Sequence, residues 1–247
     1  MAAWPAGYAL LELDGIDSTN QEARRRAAAG ETRPLWIAAA RQSAGRGRRG
    51  RTWQSAPGNL FATLLLRPDK PAGECAQLSF VAALAVSDML ARFAPHAGIT
   101  LKWPNDVLAG GRKIAGILLE SESQADGAAA WLAVGIGVNL MAFPKDTEFP
   151  AVSLAAAGIA PPTPKDALLH LAAAFAKWYE TWRTAGFAPV REAWLSRASG
   201  VGSHIRVRLA SEEISGVFQG IDDSGTLLLG LPGGTTRFIA AGEVFFG

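Results

Sequence analysis

The chain has 247 residues, a formal net charge of +2 and hydrophobic side chains at 49 % of positions. That suffices for one large domain, or one large and one small, around a sizeable core, and it excludes whole-chain electrostatic attraction to nucleic acid. The single cysteine, Cys75, excludes an internal disulfide, and the scattered His96, His170 and His204 have no metal-ligand spacing.

The first thirteen residues lack the basic and apolar regions of a signal peptide. Asp17-Ser18-Thr19-Asn20-Gln21 opens a helix, with Ser18 and Gln21 at capping-box spacing and Gly30 as its stop. A short buried strand at 35–40 leads into a glycine- and arginine-rich loop at 41–58. Another strand follows at 59–66, closed by Arg67-Pro68. Residues 76–93 have helical periodicity, and 99–103 form a strand ending at Pro104. Residues 107–108 and 113–120 form a hairpin around Gly110-Gly111. The apolar stretch 128–143 is too short, and too broken by Gly135, Gly137 and Asn139, to span a bilayer; 128–140 reads as a central strand. A long amphipathic helix at 165–185 carries Leu168, Leu171, Phe175, Trp178 and Trp182, and a shorter helix follows at 188–198. Past Gly200 come short strands at 204–209, 213–219, 226–229 and 235–239, split by Asp-Ser-Gly and Pro-Gly-Gly turns. This is the pattern of a small all-β barrel of SH3 size, with a boundary near 199–202. Together these features predict a soluble, cytoplasmic protein without a membrane partner.

Gly45-Arg46-Gly47-Arg48-Arg49-Gly50-Arg51-Thr52-Trp53 matches the spacing of a dinucleotide fingerprint, but the following Gln54-Ser55-Ala56-Pro57-Gly58-Asn59 cannot open the required helix. A solvated basic loop or a non-specific nucleic-acid contact is the plain alternative. The segment also offers guanidinium groups able to fold onto a phosphate. Its four positive charges, with few apolar anchors, should repel each other and have little to bind, which predicts a mobile loop. Lys102-Trp103-Pro104-Asn105-Asp106 fixes two polar residues on a turn, which is also an ordinary end to a strand. Lys113, in Gly111-Arg112-Lys113-Ile114-Ala115-Gly116-Ile117-Leu118, could be a solvated turn residue. Gly135-Ile136-Gly137-Val138-Asn139 bares one strand face for a ligand or for close packing on a helix.

In this order, and with Ser18-Thr19-Asn20, these segments resemble the biotin–protein ligase family motif for motif from about Ile16 onward, the arginine loop with its tryptophan being the most specific part. The barrel segment, with 216–222 and Gly242-Glu243-Val244, looks like that family's C-terminal domain. The resemblance implies an α+β fold: a mixed-sheet catalytic domain of the biotin/lipoate ligase type over 1–199 and an SH3-like barrel over 200–247. It also implies ATP and biotin as substrates, Mg²⁺ carried with ATP, and a biotin carboxyl carrier protein domain as acceptor. Biotin would be bound by Ser18, Thr19, Asn20, Gln42, Arg46, Gly47, Arg48, Lys113 and Gly116. Arg48, Arg51, Trp53, Lys102, Asn105 and Asn139 would contact the nucleotide, and Lys113, Arg48 and Asp106 would carry the catalysis; no metal ligands are expected. Only 17 residues precede Ser18, so the family's winged-helix domain is expected to be absent and the protein not to be a DNA-binding repressor. Family members commonly follow Gly-Glu-Val with Ser-Leu-Arg, and that arginine helps to hold the nucleotide. Here Phe245-Phe246-Gly247 stands in its place. The rival readings are a lipoate or octanoate ligase or transferase and a non-enzymatic nucleic-acid-binding module. Oligomeric state stays open, with a homodimer through the large sheet as one arrangement.

Overall fold

The computed structural model describes residues 3–123, 127–145 and 147–246. Its larger sheet contains β1 (Ala9–Leu13), β2 (Leu35–Ala39), β3 (Leu60–Leu66), β4 (Ile99–Lys102), β5 (Asp106–Ala109), β6 (Arg112–Ser123) and β7 (Ala129–Val138). Their order is β1-β2-β3-β7-β6-β5-β4, with β1 parallel to β2 and every other pair antiparallel. The helices are α1 (Thr19–Ala28), α2 (Ala72–Cys75), α3 (Leu78–Phe93), α4 (Pro164–Ala185) and α5 (Phe187–Leu195). The second sheet is antiparallel, in the order β11-β10-β9-β8-β12, from β8 (His204–Arg208), β9 (Glu213–Ile221), β10 (Leu227–Gly230), β11 (Thr236–Ile239) and β12 (Glu243–Phe246). This is the expected α+β architecture of a mixed sheet plus a small antiparallel β unit.

β3 is uniformly apolar but for Thr63, and it is buried along its whole length, as a strand covered on both faces must be. α3 is apolar nearly all round and lies between the large sheet and α4, burying Leu78, Val81, Leu84, Val86 and Leu90. Each such side chain is worth about 1.5–3 kcal/mol when removed from water. Residues 72–93 contain an 18-residue stretch apolar enough to cross a bilayer, but 78 % of that stretch is buried inside the molecule, as befits a core helix. One core continues into the second sheet through Ile205, Val207, Phe218, Leu227 and Val244. Trp103, just after β4, donates to the Gly225 carbonyl at 3.0 Å and Arg191 of α5 to that of Ile221 at 2.7 Å, fixing the small sheet to the larger unit.

Three local expectations change. Ser18 takes the N-cap position of α1 but makes no cap bond. The Gln42 side-chain oxygen accepts the Thr19 N–H at 2.9 Å instead, since the 41–44 segment runs alongside. The helix expected over 76–93 starts at Leu78, after the separate turn α2. β1 and β12 have no counterpart in the sequence reading: both are short strands whose register comes from their partners.

The glycines of β6 and β7 cut a trough in the large sheet. Gly116 and Gly137 face each other across the two strands, and Gly135 pairs with Leu118. A Cβ on Gly116 would meet Trp53 Cζ3 at 2.9 Å, one on Gly137 would overlap the Trp53 indole, and one on Gly135 would overlap the Asn20 carboxamide. Asn20 is only 5 % exposed and held on both sides by hydrogen bonds, so it cannot yield. Gly135→Ala should therefore lower the unfolding free energy by about 1–3 kcal/mol. That exceeds the roughly 0.5–1 kcal/mol a strand gains by replacing glycine. Urea unfolding checks it, and an unchanged midpoint would contradict the trough.

Candidate active site

A cavity of about 430 Å³ opens over the glycine trough, within the size range of small-molecule sites. All the residues named from the sequence lie on its wall: Ser18, Thr19, Asn20, Gln42, Arg46, Gly47, Arg48, Arg51, Trp53, Lys102, Asn105, Asp106, Lys113, Gly116 and Asn139. The fold brings together segments that are more than a hundred residues apart in sequence.

At one end, the start of α1 supplies polar groups held in a fixed network. The Thr63 hydroxyl donates to Asn20 Oδ1 at 2.6 Å and lies 2.8 Å from Thr19 Oγ1. Asn20 Nδ2 donates to Glu120 at 2.7 Å, and Gln42 Nε2 to Ser55 Oγ at 3.1 Å. The side chains are thus pre-oriented before any ligand arrives.

The arginine loop is closed by backbone bonds, Gly47 N–H to Arg51 at 2.7 Å and Trp53 N–H to Gly45 at 3.0 Å, around a single 3₁₀ turn at Arg48–Gly50. No long helix follows, in keeping with rejection of the dinucleotide fingerprint. The expectation that its charges have little to bind fails. Arg46 pairs with Glu120 at 3.2 Å and Arg48 donates to Asn105 Oδ1 at 2.9 Å. Arg49 lies 3.8 Å from Glu243, which also pairs with Arg51. Burial, aided by the charge of Arg49, pushes the Arg48 guanidinium below its usual pKa.

The cis Trp103–Pro104 peptide and the turn after it present Asn105 and Asp106. Asn105 Nδ2 donates to the Ile117 carbonyl at 2.7 Å, which fixes its Oδ1 toward Arg48. Lys113 is not a solvated turn residue: its Nζ meets Asp106 Oδ1 at 2.6 Å and lies 5.7 Å from the Trp53 ring centroid. Asn139, 3 % exposed, donates to the Val152 carbonyl at 3.2 Å. Lys102, 7 % exposed, faces the rings of Phe149, Phe245 and Phe246, and burial holds its pKa down to about 8. Among the described residues, no group of three or more His, Cys, Asp or Glu is placed to hold a metal ion.

Residues 13–139 match the model of the Biotin/lipoate A/B protein ligase family, and residues 200–247 that of the Biotin protein ligase C terminal domain. The chain belongs to the biotin/lipoate A/B protein ligase family. It is 48 % identical over 241 residues to the Biotin--[acetyl-CoA-carboxylase] ligase of Paracoccus denitrificans, covering 95 % of this chain and 99 % of that one. It is 34 % identical to the enzyme of the same name from Mycobacterium tuberculosis, covering 97 % and 90 %. The solved biotin protein ligase of Aquifex aeolicus in complex with biotin and ATP superposes with a TM-score of 0.80 at 27 % identity, covering 96 % and 97 %.

Sequence reading of this family member missed Thr63, Glu120 and Glu243 as parts of the cavity network. A lone threonine inside the apolar β3 is a readable signal. The acids are not, because their partners come from elements far away in sequence. Glu243 is 8 % exposed and bound by three guanidinium groups, those of Arg51, Arg208 (2.6 Å) and Arg49. Burial alone would raise its pKa. The Arg208 hydrogen bond and the charges of Arg51, Arg208 and Arg49 outweigh that and hold it below the usual value. Glu243→Gln leaves these cations without their shared anion and should cost about 2–4 kcal/mol. A group with a depressed pKa stabilises above the unfolded value and loses that as pH falls. The gap between variant and wild type should therefore be full at pH 7 and shrink only below about pH 4, in chemical unfolding followed across pH.

Proposed function

We propose that this chain is an ATP-dependent, AMP-forming biotin–protein ligase. It activates biotin as biotinyl-5′-adenylate and passes the biotinyl group to a lysine of a biotin carboxyl carrier protein domain. The convergence of the arginine loop, Lys113 and the glycine trough on one cavity carries this reading, and relatives that share most of their length with this chain bear the same activity in their names.

Biotin is an apolar bicycle with a ureido head and a carboxylate tail. The ureido group suits the hydroxyls and amides of Ser18, Thr19, Asn20 and Gln42, and the bicycle suits the apolar wall that Ile117, Leu118 and Ile136 add to the same cavity. In the first half-reaction a carboxylate oxygen of biotin attacks the α-phosphorus of ATP, and the bond to pyrophosphate breaks. Two anions meet, so the barrier is electrostatic and cations held in place lower it. Lys113, Arg46 and Arg48 supply that charge. Arg51, Lys102, Asn105 and Asn139 line the nucleotide's part, with Trp53 available to the adenine face. Mg²⁺ enters with the triphosphate as part of the substrate.

In the second half-reaction the acceptor amine, of ordinary pKa about 10.4, must lose a proton before its nitrogen attacks the acyl carbon and AMP leaves. Asp106 takes that proton; its ion pair with Lys113 sets its position until then. The protein works in the cytoplasm, in keeping with its lone, unpaired Cys75.

Biotin-dependent exchange of labelled pyrophosphate into ATP is the direct assay, and exchange that ignores biotin would refute adenylation. Lys113→Ala should abolish the exchange, a loss of at least about 10²-fold, while the circular dichroism spectrum stays native. Arg48→Gly should still make the adenylate but lose its grip on it. One charge-assisted hydrogen bond of about 1.5–3 kcal/mol corresponds to roughly ten- to a hundred-fold faster release. Albumin added as a bystander should then become biotinylated by the variant more than by the wild type; equal labelling alongside undiminished ATP consumption would remove Arg48 from the retention role.

A further inference from the structure

Lys102 stands out among the cations of the cavity. Arg46, Arg48, Arg51 and Lys113 each have a carboxylate or amide acceptor within the protein. Among the described residues, no hydrogen bond or ion pair joins Lys102 Nζ to another side chain, although 93 % of the residue is buried and it lines the cavity. What surrounds the ammonium is aromatic. The Phe149 ring centroid lies 3.9 Å away, that of Phe246 5.5 Å and that of Phe245 5.9 Å. The Phe149 and Phe245 rings pack at 4.9 Å.

The second sheet assembles this enclosure. Phe245 and Phe246 are the last described residues of β12, and Phe149 comes from the segment between β7 and α4. Arg208 of β8 makes a two-pronged pair with Glu148, both distances 2.7 Å, and also binds Glu243 of β12. The neighbour of Phe149 is thereby tied to the strand that carries the other two rings. Arg206 and Arg208 lie 4.7 Å from the Phe245 centroid, so that ring sits among three cations.

We infer that Phe149, Phe245 and Phe246 are positioning residues that hold the Lys102 ammonium against the cavity wall, uncommitted to any protein anion, so that a polyphosphate can take it as counter-ion. An aromatic face attracts a cation through its quadrupole without neutralising it or filling its hydrogen-bonding capacity. A carboxylate in the same place would compete with the incoming phosphate. The ammonium also keeps little water to shed. Burial holds its pKa down to about 8. The groups that face it are Asp106 of β5, Glu243 of β12 and Glu148, which favour the charged form, and Lys113 of β6, which opposes it. Arg206 and Arg208 stand behind the Phe245 ring.

The nucleotide part of this inference rests on the adenylation reading; the titration of Lys102 does not. The test is an NMR titration of protein labelled with ¹³C at the lysine ε-carbon, the Lys102 signal being assigned by its loss in Lys102→Arg. The wild type should titrate near pH 8. Phe149→Leu keeps an apolar cover but removes the quadrupole, so the midpoint should fall by about 0.5–1 unit. Phe149→Ala admits water, so the midpoint should rise. In exchange assays, the basic limb of kcat/KM for ATP should follow the same midpoint in each variant. Phe149→Leu should raise the KM for ATP at pH 8 by about two- to five-fold with kcat nearly unchanged. Should Phe149→Leu fail to fold, Phe245→Leu, at a half-buried position, tests the same ring effect. A wild-type midpoint near 10.4, or equal midpoints in wild type and the leucine variant, would overturn the enclosure. A shifted midpoint that responds to the variants, alongside a KM for ATP that does not, would overturn its role toward the nucleotide. If exchange proves independent of biotin, the functional reading fails; addition of inorganic triphosphate then tests the anion directly, and an unmoved Lys102 signal overturns the proposal.

Discussion

The site depends on the absence of three side chains. Gly116, Gly135 and Gly137 leave a trough in an otherwise apolar sheet, and Trp53 and Asn20 fill its two ends. A β-sheet of ordinary composition stands its side chains perpendicular to its surface and would hold both residues away from the backbone. With the trough present, Trp53 of the arginine loop is anchored against the backbone of β6 and β7, and the first turn of α1 presents its polar groups over the sheet. The cavity is the space left between these anchors. Asn20 adds a second constraint: bonded to Thr63 and Glu120, it joins α1, β3 and β6 at one buried point.

Charge is arranged on the same plan. Five cations of the arginine loop, β4 and β6 converge on one cavity, yet the net charge of the chain is only +2. Acids and an amide from distant strands meet them: Glu120 from β6, Asn105 from the turn before β5, Asp106 at its start, and Glu243 from the second sheet. These pairings order the guanidinium groups at the expense of committing them. An anionic ligand must exchange with existing partners, which favours ligands of several negative charges over one. Glu243 also makes the small sheet part of the site, because this buried anion of β12 pairs with Arg49 and Arg51 of the loop.

Much of this was legible in the chain. The strands at 35–40, 59–66 and 128–140, the 165–185 helix with its apolar stripe and the turn-rich texture beyond Gly200 appear where local patterning places them, because burial writes itself into the sequence. The order of motifs led to the family, and the residues it pointed to meet in one cavity. The misses have a common cause. β1 and β12 carry weak patterns and owe their pairing to neighbours. Ser18 has the spacing of a cap, but Gln42 arrives from another segment and takes the bond. The four arginines look mutually repulsive in isolation because none of their partners is near in sequence.

The sequence by itself therefore determined the class of fold, the family and the residue types of the site. These follow from local periodicity, turn chemistry and motif order, which a chain carries before it folds. Only the tertiary structure decided which charge meets which. It placed Glu243 among three guanidinium groups, bound Lys113 to Asp106, and left Lys102 facing aromatic rings in place of an acid. Those outcomes are set by strand register and by the packing of one sheet on another, at separations where sequence proximity carries no information.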